Sequence, residues 1–140
     1  MAAEFAVVDI WVGVFESGLN LHDYLAERPQ FCQDETENLS ISQFAEDVGE
    51  KFIDHDFECT MFVQERTKDI SHLLQESLLT EDFGETGGRT GIDFLAAKYL
   101  EQRDEAVNSI VLVYGLEVSR PRSVQRSTFW LQYVGRFYEQ

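Results

Sequence analysis

Two strongly apolar segments predict the centre of a β-sheet. The first runs from Phe5 to Phe15 and contains one charged residue, Asp9, and the second runs from Val107 to Val118. Strands that are covered on both faces are apolar at successive positions rather than at every second position. We therefore predict that these two segments lie side by side in the middle of the sheet.

The segment from Phe52 to Gln64 has a different pattern, because apolar and polar residues alternate along it. This period of two predicts a half-buried strand. Asp54, Asp56 and Glu58 share its polar face, where neighbouring carboxylates repel each other unless a basic group lies opposite. This strand face is therefore a candidate functional surface.

Helical spacing and capping residues predict four helices between the strands. A Gly-rich loop over residues 80–91 precedes the fourth of them. The predicted N-caps are Asn20, Ser40, Asp69 and Thr90. We expect each helix to pack its apolar stripe against the sheet.

The predicted order of elements is β-α-α-β-α-α-β-β. The last strand, Thr128 to Tyr138, is expected to form a long hairpin with the strand before it. At 140 residues, without a linker or an internal repeat, the chain fits one domain over residues 1–140. We predict an α+β fold with a four-stranded, largely antiparallel sheet and helices packed on one face.

The charge of the chain is strongly negative and unevenly distributed. The formal net charge is -15, and residues 1–60 carry 14 acidic and 2 basic side chains. Such a surface repels a phosphate backbone, so nucleic acid is not expected as a direct partner. A basic protein partner is favoured, although the same charge also fits a role in solubility alone.

The predicted partner-binding surface combines the polar strand face with an acidic segment from Phe31 to Leu39, which we expect to be a surface loop. Both lie in the most acidic part of the chain. The predicted binding residues are Asp34, Glu35, Glu37, Asp54, Asp56 and Glu58.

Targeting signals are not evident. No apolar run approaches the ~20 residues that a membrane-spanning helix needs. The N-terminal residues MAAEF lack the basic segment of a signal peptide. Cys32 and Cys59 fit reduced thiols, although a disulfide between them stays open. We expect a soluble, cytoplasmic protein with no membrane partner.

Motifs for catalysis or for metal binding are weak. His55 and the neighbouring carboxylates would project from opposite faces of their strand, which disfavours a metal site. The Gly-rich loop imitates a phosphate-binding loop, but Phe83 replaces its first glycine and Arg89 replaces its lysine. Neither Cys32 nor Cys59 lies in a nucleophile signature. We therefore expect no metal, no cofactor and no enzyme activity.

Four short segments carry a family resemblance: residues 10–15 (IWVGVF), 42–49 (SQFAEDVG), 54–57 (DHDF) and 108–114 (NSIVLVY). Together they resemble the immunity protein 22 family of bacterial polymorphic-toxin systems. The chain departs from this pattern at Val48, where an aromatic residue is expected, and in the Gly-rich segment around residues 84–91. The resemblance implies a cytoplasmic α+β protein that is encoded beside a secreted toxin.

The resemblance further implies that the protein neutralises the toxin by binding it, without catalysis. It supplies no binding residues to transfer, and Trp11, Gly13 and Phe44 are expected to determine the fold rather than to contact the toxin. An acidic domain is suited to covering the basic active site of a nuclease-type toxin. Two alternatives stay open: a small-ligand-binding domain or small enzyme with a pocket near the Gly84–Gly91 loop, and an acidic adaptor or DNA mimic. The oligomeric state is also open, and an exposed edge strand could support a dimer.

Overall fold

The two apolar segments form adjacent central strands of an antiparallel sheet. A computed structural model describes residues 7–28, 40–53, 58–77, 95–115, 118 and 120–138. In chain order the elements are β1 (Val7–Val14), α1 (Gly18–Leu25), α2 (Gln43–Asp47), β2 (Glu58–Thr67), α3 (Ile70–Ser77), α4 (residues 95–103), β3 (Val107–Tyr114), β4 (Val124–Gln125) and β5 (Trp130–Tyr138). The strand order is β2-β3-β1-β5-β4, and every neighbouring pair is antiparallel.

Helices cover both faces of this sheet. All residues of β1 and β3 are buried. From β1, Val8, Ile10 and Val12 contribute to a first core with α3 and α4, whereas Trp11 and Phe15 contribute to a second core with α1 and α2. The predicted α+β class is confirmed. The helices lie on both faces rather than on the single predicted face, because strands that are apolar throughout need a cover on each side.

The sheet has five strands rather than the predicted four. The additional strand, β4, lies in the segment predicted as a loop and pairs with β5. A strand of two residues is too short to give a period in the sequence. β5 also pairs with β1, which separates it from β3, so the predicted hairpin between the last two long strands does not form. Among the described strands, β2 and β4 form the edges of the sheet.

Two of the helices are capped by a serine that was not the predicted N-cap. Ser17 caps α1 in place of Asn20, and Ser42 caps α2 in place of Ser40. Both capping residues have an extended backbone, so the side-chain oxygen accepts a hydrogen bond from the N–H three residues later. Asp69 caps α3 as predicted. None of the described helices is long and apolar enough to cross a membrane.

The residues expected to determine the fold are buried at the strand and helix contacts. Trp11 and Phe44 are both fully buried, and their rings meet edge to face with centroids 5.1 Å apart. A Cβ atom at Gly13 would overlap the carbonyl oxygen of Trp130 on the neighbouring strand. Trp130 packs against the first core, and the Arg103 guanidinium carbon lies 3.6 Å from its ring centroid. Trp11, Gly13 and Phe44 therefore lie inside the fold, where the sequence analysis expected them.

An ion pair between the buried Asp9 and the partly exposed Arg136 connects β1 to β5. Asp9 is inaccessible to solvent, and its Oδ1 accepts hydrogen bonds from Arg136 Nε at 2.8 Å and from the Tyr133 hydroxyl at 2.6 Å. Its Oδ2 accepts from Arg136 Nη2 and from the Val118 N–H, both at 3.1 Å. Arg136 Nη2 also donates to the Val118 carbonyl oxygen at 2.8 Å. The carboxylate therefore joins two strands and the chain after β3.

We expect Arg136→Met to lower the free energy of unfolding by about 3 kcal/mol, because it leaves the Asp9 charge buried without its cation. Urea denaturation measures this change, with Arg120→Met at an exposed position as the control. The double variant Asp9→Leu/Arg136→Met should recover part of the loss, since it removes both charges. A loss for Arg136→Met no larger than that of the control would contradict this role.

Candidate functional site

One of the six predicted binding residues lies in the described part of the chain. This residue is Glu58, the first residue of β2, and its side chain is half-buried. The Gly84–Gly91 loop, near which the alternative ligand pocket was expected, lies outside the described residues, as does the predicted cap Thr90. The other predicted binding residues outside the described part are Asp34, Glu35, Glu37, Asp54 and Asp56.

The alternation of β2 sets the direction of the Glu58 side chain. Cys59, Met61 and Val63 pack against the first core. Glu58 and Thr60 belong to the opposite face and line a cleft with residues of α1. The predicted alternation of this strand is therefore confirmed for its described residues, and it places Glu58 at the second face of the sheet.

The last turn of α1 forms the other wall of this cleft. Leu21, Tyr24 and Leu25 are buried in the second core, at the helical spacing that gives one apolar face. The helix ends at Leu25, and the extended backbone of Ala26 directs the following residue away from the helix axis. The end of α1 thus lies beside the start of β2.

We call the cavity between these walls the acidic cleft. It has a volume of about 400 Å³ and is open to solvent. Glu27 is exposed at its rim, whereas the Oε2 atom of Glu58 is buried. The described residues that line the acidic cleft are His22, Leu25, Ala26, Glu27, Glu58 and Thr60. Two carboxylates around a partly apolar cavity favour a cationic occupant.

His22 and Glu27 were missed as site residues by the sequence analysis. Their signal in the sequence is only that His22 lies off the apolar stripe of α1 and that Glu27 is a polar residue two positions after the helix ends. That signal does not distinguish them from other exposed polar residues. Their role depends on the packing of α1 beside β2, which brings Glu58 close although it is distant in sequence.

A second cleft of about 300 Å³ lies between α2 and the basic segment 120–126. Here the opposite charges neutralise each other within the chain. Arg126 Nη2 lies 2.8 Å from Asp47 Oδ1, and Arg28 Nη1 lies 2.8 Å from Glu46 Oε1. The Asp47 side chain is 8% exposed, and it also accepts a hydrogen bond from the Tyr24 hydroxyl at 2.7 Å.

The polar groups of this second cleft stabilise the fold. Burial, followed by the hydrogen bond to Asp47, raises the pKa of Tyr24 above its ordinary value. The phenol therefore remains protonated and donates to the carboxylate throughout the neutral range. The pairs described above connect α1, α2 and the segment 120–126, so we assign this cleft to the stability of the second core.

The described residues provide neither a metal-binding cluster nor an activated Cys59. No group of three or more His, Cys, Asp or Glu side chains among them could hold a metal ion. Burial raises the pKa of the Cys59 thiol, whereas an activated cysteine needs a lowered pKa to provide a thiolate. Cys59 thus has the properties of a core residue, as its place on the apolar face of β2 predicts.

The described residues form a small α+β domain with an acidic surface cavity beside an edge strand. The family model for immunity protein 22 matches residues 8–139, nearly the whole chain. The chain belongs to the immunity protein 22 family, which confirms the resemblance seen in its sequence and supports an immunity function against a toxin. No curated protein and no solved structure matches the chain.

We expect Cys59 to react slowly with iodoacetamide. In a Cys32→Ser variant, the midpoint of alkylation against pH should lie above that of the same protein unfolded in urea, because burial disfavours the thiolate. The measurement is the rate of alkylation by mass spectrometry over a pH series. A midpoint below that of the unfolded protein would instead indicate an activated cysteine.

Proposed function

We propose that this protein neutralises a basic, nuclease-type toxin domain in the cytoplasm by binding it through an acidic surface centred on the acidic cleft. The observation that carries the proposal is the meeting of Glu58 and Glu27 at one open cavity, on two elements that the fold holds together. Membership of the immunity protein 22 family supports a toxin as the partner.

The charge around this cleft favours a basic partner. Glu16 and Asp23 are exposed at the start and on the outer side of α1, which adds to the negative charge of Glu27 and Glu58. A field of one sign raises the rate of association with an oppositely charged protein and weakens as salt screens it. We therefore expect association to slow as the ionic strength rises.

Binding alone is sufficient to block a nuclease. A nuclease active site carries basic residues, because its substrate is a chain of phosphates. Carboxylates that bind the same basic residues exclude the substrate from them. The immunity protein then needs no catalytic group, which agrees with the weak catalytic motifs of the sequence.

An apolar contact beside the charges would complete the interface. Leu19 on α1 is 68% exposed, although α1 buries its other large apolar residues. Burying a leucine side chain contributes about 1.5–3 kcal/mol. Interfaces combine such apolar contacts with a polar rim, and the exposed side of α1 offers both.

The proposal is tested by capture of the partner. Tagged protein is expressed in its native host and purified at low salt, and the captured protein is identified by mass spectrometry. We expect a basic domain, released by salt, that stops growth when it is expressed alone and permits growth when it is expressed with this protein. A captured partner that is harmless alone, or toxicity that this protein does not relieve, would contradict the proposal.

We predict that charge reversal at the cleft weakens toxin binding. Glu27→Lys/Glu58→Lys should raise the dissociation constant by about 100-fold or more and reduce its salt dependence, because two attractive charges become repulsive. Isothermal titration calorimetry at two ionic strengths measures both effects.

The matched control is Glu101→Lys/Asp104→Lys, which changes the formal charge equally at exposed positions around α4, on the other side of the sheet. Its effect should be much smaller. A further variant with Asp54, Asp56 and Glu58 reversed together tests the remainder of the predicted strand face. Equal losses of toxin affinity for the cleft variant and the α4 control would show that only net charge matters. The cleft would then not be the toxin-binding site.

A further inference from the structure

We infer that the acidic cleft receives one arginine side chain of the toxin. The inference rests on the proposed function and specifies what occupies this cavity. Three observations carry it: the apolar floor of the cleft, its two carboxylates on different elements, and its size.

The floor of the cleft suits the stem of a long basic side chain. Leu25 is 6% exposed and belongs to the second core, and Ala26 is half-buried beside it. Arginine packs its methylene groups along such apolar surface while its charged end reaches polar groups. A cavity of about 400 Å³ is large enough for one such side chain and small for a folded element of the partner.

The polar groups suit a guanidinium rather than an ammonium. Glu27 approaches from the end of α1, and Glu58 and Thr60 approach from β2. A guanidinium is planar and has five N–H donors, so it can bind acceptors on both walls at once. Because Glu58 is half-buried, a hydrogen bond to its carboxylate is less screened by water than one at a fully exposed position.

The same chemistry occurs twice inside the protein. Arg136 joins Asp9 to the Val118 carbonyl, and Arg126 joins Asp47 to the segment that precedes β5. In both places an arginine connects a carboxylate with a neighbouring element. The acidic cleft presents the carboxylates and the apolar surface for an equivalent contact between two proteins.

The first test uses small probes on the full chain. N-acetyl-arginine amide is titrated into isotope-labelled protein, and amide chemical shifts are followed by NMR, with N-acetyl-citrulline amide as the neutral analogue of the same shape. We expect saturable shifts at residues 25–27 and 58–60 with the arginine probe and much smaller shifts with citrulline. Equal shifts with both probes, or shifts located elsewhere, would overturn the inference.

Two variants test the cleft itself. Glu58→Gln removes one charge, and Ala26→Phe fills the cavity without a change in charge. Both should weaken binding of the arginine probe about tenfold or more, whereas Glu101→Gln, at an exposed acid on α4 and outside the lining, should not. The amide spectrum of each variant shows whether it remains folded. Unchanged probe binding in a folded Ala26→Phe variant would overturn the inference.

The same variants separate this inference from the proposed function. If the captured toxin is neutralised with unchanged affinity by Glu58→Gln and by Ala26→Phe, the cleft is not the arginine site, although the immunity function stands. If the arginine probe binds in the cleft but the protein relieves the toxicity of no captured partner, the proposed function fails and the arginine site remains. A loss of about tenfold or more in toxin affinity for both variants supports both.

Discussion

The ion pair of the buried Asp9 with Arg136 is the interaction on which the arrangement of the sheet depends. The two residues lie directly opposite each other on β1 and β5, although 127 positions separate them in the chain. A register shift follows immediately, between Ile10 and Trp11. A slip of one residue would move one partner to the other face and leave a buried charge without its cation. The pair therefore specifies one register, whatever its net contribution to stability.

A fixed register also determines where the functional surface can lie. Because β1 and β3 are covered on both faces, the proposed binding surface lies at a margin of the sheet rather than over its centre. β2 forms one margin, and the end of α1 closes over it. Asn108 strengthens this arrangement, since its buried side chain donates to the Phe15 carbonyl and accepts from the Phe15 N–H. Glu58 is held at this margin by the pairing of β2 with β3, in which it lies opposite Val113.

The sequence predicted what depends on local pattern. The two central strands, the alternation of β2 and the Asp69 cap follow from spacing within a few residues, and each is confirmed. Among local features, it misplaced the N-caps of α1 and α2, which are Ser17 and Ser42. Its larger errors concern features that depend on residues distant in the chain. The pairing of β5 with β1 and the cover on both faces depend on contacts that no local period contains.

The candidate site was predictable to a similar extent. Alternation indicated that Glu58 faces away from Cys59, and this is confirmed. The sequence could not indicate that Glu27 shares a cavity with Glu58, because that depends on how α1 packs beside β2. Asp9 was visible as the single charge in an apolar run, but its partner could not be chosen among the arginines of the chain.

The division into two cores has a spectroscopic consequence. The chain contains two tryptophans, and the sheet separates them: Trp11 is buried in the second core, and Trp130 packs against the first. Replacing either one with phenylalanine leaves a single emitter on one known side of the sheet. Intrinsic fluorescence can then follow each core separately, and the emission of Trp11 reports on the layer that supports α1 and the acidic cleft.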